Sequence, residues 1–276
     1  MITIIVATDF SASARNALTY ACELTNNFSC RLVLLHITPY AGTYSSEGIA
    51  LAGMNDVLEN ATVQINEEAA WARESYPHLI VSGRVEAGRF LHCLQEVTAD
   101  EHAVGVIMGA TNFDEVWQWD RDILGALTDI QMPVAVIPEH VKYRPLKNIG
   151  WACRYAVTDD RLPLNEIKQL MSFTKAHLHV INVITDDDKD KVLNEAKRKN
   201  VQDALGHEQV SYHDIKGNRV DYVIDSLRGC VKELELDAMI IIPREHGILY
   251  KLIHRSNTKD LARMNILPIL ALHNKR

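Results

Sequence analysis

The stretch Ile4-Ile5-Val6-Ala7-Thr8-Asp9-Phe10-Ser11 decides the fold. Four apolar residues end on a polar elbow, and Ala14, Leu18, Ala21 and Leu24 follow at helical spacing. Ser11 or Ser13 can cap that helix with a side-chain oxygen. A second apolar run, Leu32-Val33-Leu34-Leu35-His36, comes next. The same order returns later in the chain. Asn148-Ile149-Gly150-Trp151-Ala152-Cys153 leads into a polar stretch to Asp160, a helical pattern, and His179-Val180-Ile181-Asn182-Val183. The two passages also close alike, on Met132-Pro133-Val134-Ala135-Val136-Ile137 and Leu267-Pro268-Ile269-Leu270-Ala271-Leu272. A repeat of this length predicts two similar domains, 1–141 and 146–276.

Strands are expected near 2–8, 31–37, 79–85, 104–109 and 133–138, and again near 147–153, 178–183, 209–215, 238–242 and 267–272. These runs are short, β-branched and nearly continuous in apolar character, as parallel strands buried on both faces are. The segments between them read as helices, including long ones over about 52–75 and 187–204, with Asp159 or Asp160 as the cap of the helix through Leu164 and Ile167. Strand-helix alternation requires right-handed crossovers, so each half is read as an α/β domain: a doubly wound, five-stranded parallel sheet with helices on both faces. Residues 40–51 read as a loop, and Glu139 to Pro145 as a short polar join.

The net charge of −7 offers no field to attract nucleic acid or an anionic membrane surface. No apolar run approaches the roughly 20 residues of a membrane span. Five scattered cysteines, odd in number and without a CxxC pair, read as reduced thiols and a cytoplasmic location. The first strand begins at once, so no export signal is expected.

The opening Ile4-Ile5-Val6-Ala7-Thr8-Asp9-Phe10-Ser11 with its alanine-rich helix resembles that of universal stress proteins. The endings of both halves resemble the family too, and His254-Arg255-Ser256-Asn257-Thr258-Lys259 is similar to a segment of its tandem members. The resemblance covers nearly the whole chain as two copies. It implies a Rossmann-like sheet, similar to that of adenine-nucleotide hydrolases, in each domain. It also implies association through the last strands, within the chain or in a homodimer. Val134, Val136, Ile269 and Ala271 would otherwise be apolar edges.

In open parallel sheets, ligands bind beyond the carboxyl ends of the strands where the strand order reverses. Asp9 stands at such an end, where a carboxylate can accept hydrogen bonds from a base or a ribose. The resemblance implies adenosine at this acid and phosphates on a Gly-x2-Gly-x9-Gly-Ser/Thr loop, whose glycines let backbone N–H groups approach. It makes Asp9, Phe10, Ser11, Gly109 and Thr111 the nucleotide-binding candidates of the first half, and Arg255, Ser256 and Asn257 those of the second. Both halves depart from the pattern. Gly109 is kept, but Asn112 takes the next glycine's place, and Asp114, Glu115 and Asp120 bring negative charge. In the second half Cys153 or Arg154 stands for Asp9, and Pro243 and His246 replace glycines. Asp9 and Ser11 can also do no more than cap a helix.

No catalytic residue is assigned, and no GxSxG, HExxH or Walker A run occurs. Asp186-Asp187-Asp188-Lys189-Asp190 lacks the glycine and glutamate of a calcium loop. His177 and His179 share a strand face but show no third ligand, so no metal is expected. The reading is a cytosolic stress-response protein that senses a small ligand, with ATP or AMP as candidates and no required cofactor. The alternatives are a scaffold that binds no nucleotide and a slow nucleotide hydrolase.

Overall fold

The computed structural model describes residues 1–39, 50–110, 121–153, 162–184, 191–206, 208–216, 220–243 and 266–273. The chain divides into two units, with the boundary between Tyr143 and Arg144. In the first, β1 (Ile2–Ala7), α1 (Ala12–Thr25), β2 (Cys30–Thr38), α2 (Ala50–Ser75), β3 (Ile80–Ala87), α3 (Phe90–Asp100), β4 (Gly105–Ala110), α4 (Arg121–Asp129) and β5 (Val134–Pro138) follow in order. Its strands lie side by side as β3-β2-β1-β4-β5. Every pairing is parallel, with Ile4 opposite Leu32 on one side and Gly105 on the other. The order reverses between β1 and β4, which places the switch point at the β1–α1 elbow.

The second unit holds β6 (Asn148–Cys153), α5 (Leu164–Thr174), β7 (His177–Ile184), α6 (Lys191–Leu205), β8 (Val210–Lys216), α7 (Val220–Glu233), β9 (Ala238–Ile241) and β10 (Ile269–Ala271). Its strands lie as β8-β7-β6-β9-β10, again all parallel. Ile149 pairs with Leu178 and Ala238 as Ile4 pairs with Leu32 and Gly105, so the two registers correspond residue by residue. Even the left-handed turn recurs, at His102 and at Glu235, three residues before the strand in each case.

Alternation along the strands builds each core. Val6, Leu32, Leu34, Val81 and Ile107 pack against Ala17, Leu18, Ala21, Ile65 and Ala69 of α1 and α2. Ile149, Trp151, Leu178 and Val180 do the same against Ile167 and Val201 of α5 and α6. Each such side chain taken out of water contributes about 1.5–3 kcal/mol. Helix α2 meets β3 closely: the nearest atom to a Cβ on Gly83 would be a methyl of Ile65, at 3.0 Å.

Three details differ from the sequence reading. Helix α5 begins at Leu164 with Pro163 at the cap position and no side-chain cap hydrogen bond, while Asp159 and Asp160 lie outside the described residues. A proline there loses nothing, because its missing N–H has no helical partner at a first turn. Helix α2 starts at Ala50, inside the expected loop, whose residues 40–49 lie outside the described ones. Strands β2 and β3 run up to two residues further at their carboxyl ends than the apolar pattern reached, through Thr38 and Ala87.

Candidate functional site

The β1–α1 elbow is built from hydrogen bonds of the chain to itself. The Thr8 N–H extends the strand by donating to the Leu35 carbonyl at 2.9 Å. Phe10 then turns into the left-handed region, at φ 66°. For a bulky residue this costs on the order of 1 kcal/mol. Two contacts offset it. The Phe10 N–H donates to Thr8 Oγ1 at 3.0 Å, and the Phe10 ring stacks on His36 with centroids 4.5 Å apart. His36 Nδ1 lies 2.9 Å from the Thr8 carbonyl oxygen, which can only accept, so that nitrogen carries the proton.

Asp9 is exposed, and its Oδ1 accepts the Ser11 N–H at 3.0 Å. Ser11 Oγ accepts the Ala14 N–H at 3.2 Å and is the cap of α1, while Ser13 Oγ lies 2.9 Å from it. Gly109 lies at the end of β4 against the first turn of α1. A Cβ there would sit 2.3 Å from the Ser13 carbonyl oxygen. Packing alone therefore demands glycine at this position. The structure thus brings Asp9, Phe10, Ser11 and Gly109 to one elbow. Thr111, Arg255, Ser256 and Asn257, and the loops that hold them, lie outside the described residues.

A polar chain runs from this elbow into α2. Thr8 Oγ1 donates to Glu68 Oε2 at 3.2 Å, and Arg15 Nη1 is 3.5 Å from Glu68 Oε1. The Arg15 guanidinium lies 3.7 Å above the Trp71 ring. Glu68 is only 9% exposed, so its charge needs the guanidinium and the hydroxyl that meet it. Beside this chain opens a cavity of about 310 Å³ lined by Phe10, Arg15, Gln64, Glu67, Glu68 and Trp71. Two aromatic rings give it stacking faces. Two carboxylates and an amide offer acceptors, and the guanidinium is already engaged by Glu68 and Trp71. The lining suits a planar group bearing N–H donors better than a phosphate.

The sequence reading found the elbow but not the α2 wall. Gln64, Glu67, Glu68 and Trp71 recur at i, i+3, i+4 and i+7, which is one face of a helix. That stripe was legible, but nothing in the sequence shows which strand end it would lean over.

In the second unit the register sets Cys153 in the place of Thr8, and Arg154 lies outside the described residues. Cys153 is buried, and desolvation pushes its thiol well above the usual range. At the amino end of that sheet, His177 and His179 are joined by His213 of β8. Among the described residues, no group of three or more histidines, cysteines and carboxylates is arranged to hold a metal. No helix among them is long and apolar enough to cross a membrane.

Comparison with known proteins places the class first. Residues 1–115 match the model of the universal stress protein family. A universal stress protein from Archaeoglobus fulgidus DSM 4304 shares the fold with a TM-score of 0.67 at 16% identity, over 99% of this chain and 96% of that one. A putative universal stress protein from Pseudomonas aeruginosa UCBPP-PA14 does so with a TM-score of 0.55 at 16% identity, over 99% and 93%. No curated protein matches the chain. The first unit is thus similar to the universal stress protein family over residues 1–115, and two units of like strand order fit a tandem arrangement of that fold.

Proposed function

We propose that this protein is a cytoplasmic ligand-sensing module of the universal stress type, which takes a small adenosine-like ligand in its first unit. The observation that carries the reading is the cavity between Phe10 and Trp71, where the β1–α1 elbow meets α2, with Glu67, Glu68 and Gln64 as acceptors. At about 310 Å³ it lies at the low end of small-ligand sites, with room for a base, and its lining has no cation left over for phosphates. Asp9, the exposed neighbour of Phe10, spends one carboxylate oxygen on the Ser11 N–H and keeps the other for a ribose. The same geometry ranks ligands: adenosine and AMP should bind, and ATP should gain nothing from its extra phosphates.

Thermal shift measurements on the whole chain test this. Saturating adenosine or AMP should raise Tm, ATP should raise it no further, and Trp71→Leu should remove the shift. No shift with any of the three would end the ligand reading. A scaffold that binds no nucleotide has one observation in its favour: Asp9, Ser11 and Gly109 each have a complete structural role without a ligand.

A further inference from the structure

The corresponding registers of the two units expose a substitution made as a set. Arg31, Ser82 and Arg84 of the first unit occupy the places of His177, Ser211 and His213 in the second. One contact survives the change: Arg31 Nη2 donates to Ser82 Oγ at 3.3 Å, and His177 Nε2 lies 2.7 Å from Ser211 Oγ. The rest is replaced. Arg31 and Arg84 meet Glu101 at 2.7 and 3.5 Å, and Arg84 meets Asp100 at 3.0 Å and Glu86 at 2.6 Å. Counting back from the following strand, Glu101 becomes Leu234, and Asp100 becomes the exposed Glu233. A permanent ion network has given way to three imidazoles without their principal carboxylate.

The imidazoles are not merely near one another. His179 Nδ1 and His213 Nε2 face each other at 3.1 Å. Their centroids are 5.3 Å apart with the rings only 30° from parallel planes. A ring nitrogen lies roughly 1.1 Å from its centroid, so this separation is that of two rings end to end, sharing one proton along the N···N line. Asn148 Oδ1, 3.5 Å from His179 Nε2, can only accept. His179 therefore carries its proton on Nε2, and His213 donates. His177 stands beside the pair, 4.7 Å away between centroids.

We propose that the β7–β8 edge of the second unit is an acid-sensitive latch, closed by the single proton between His179 and His213 and opened when a second proton arrives. Two N–H groups then face each other at 3.1 Å beside His177, and β8, an outer strand, loses its hold. The charges acting on the pair agree. Burial first, then His177 and His213, hold His179 down at about 4, and burial and His177 lower His213 against the opposing pull of Asp214. Helix α7, which packs on β8, adds Asp225, Arg228, Lys232 and Glu233 along its length. Because both native pKa values are lowered, the open state takes up protons first. The latch is at full strength above about pH 6.5 and weakens as pH falls from there towards 4.

Hydrogen exchange on the full chain, with histidine NMR, tests the latch. Protection factors of the β8 amides at 211–215 should fall below pH 6.5, by up to about tenfold per pH unit for each proton that opening takes up. The His179 and His213 resonances should titrate together, below the ordinary histidine range. His213→Gln keeps a neutral donor to His179 but leaves one titrating ring in the pair, so its β8 protection should fall less steeply with acid than the parent's. His177→Arg, His213→Arg and Leu234→Glu together restore the network of the first unit and should do the same. Independent titration of the three rings near 6.5 overturns the proposal. So does a His213→Gln profile as steep as that of the parent.

Discussion

A methyl group on Gly109 would lie 2.3 Å from one backbone oxygen and 2.6 Å from the Ala14 nitrogen, neither of which can move without shifting α1. Gly109→Ala is therefore expected to lose about 1–3 kcal/mol in urea unfolding. Gly229, inside α7, has nothing within 4 Å of such a methyl, and Gly229→Ala should gain about 0.5–1 kcal/mol from helix propensity. The cysteines carry a second residue-scale expectation. Burial pushes Cys22 up to about 12 and raises Cys30, Cys93, Cys153 and Cys230 as well. The thiolate is the reactive form, so a thiol reagent at pH 8 should label the native protein slowly and the urea-unfolded protein at once. Prompt labelling of one native thiol would show that its burial had been overstated.

Among the elements, α1 depends on its first turn. Ser11 Oγ supplies the one side-chain cap of that helix, and Ser11→Ala should cost about 1 kcal/mol of stability, read from the denaturation midpoint. The capping serine was legible as one of two candidates, because capping is a local rule. Its choice over Ser13 was not, since it depended on Phe10 turning left-handed over His36. Helix α2 shows the same limit. Its length followed from the apolar pattern to within two residues, but the site-facing stripe of Gln64, Glu67, Glu68 and Trp71 gains meaning only from the strand end it overlies.

For the whole molecule, two units of the same strand order hold the corresponding edge by different chemistry. The first holds its β2–β3 edge with Arg31 and Arg84 on Glu101, an ion network that contains no imidazole. The second holds β7–β8 with imidazoles. On acidification from pH 7 to 5, exchange measured by mass spectrometry should therefore rise in 177–216 before it rises in 30–87. Simultaneous loss in both would mean that one cooperative transition governs the chain. The sequence alone determined the doubled α/β pattern, the strand positions and the elbow at Asp9, because these rest on periodicity and on rules that reach only a few residues. It left the cavity beside Trp71 and the pairing of His179 with His213 undetermined. Residues 34 or more positions apart meet there, and only the register of parallel strands and the seating of a helix bring such residues within reach of one another.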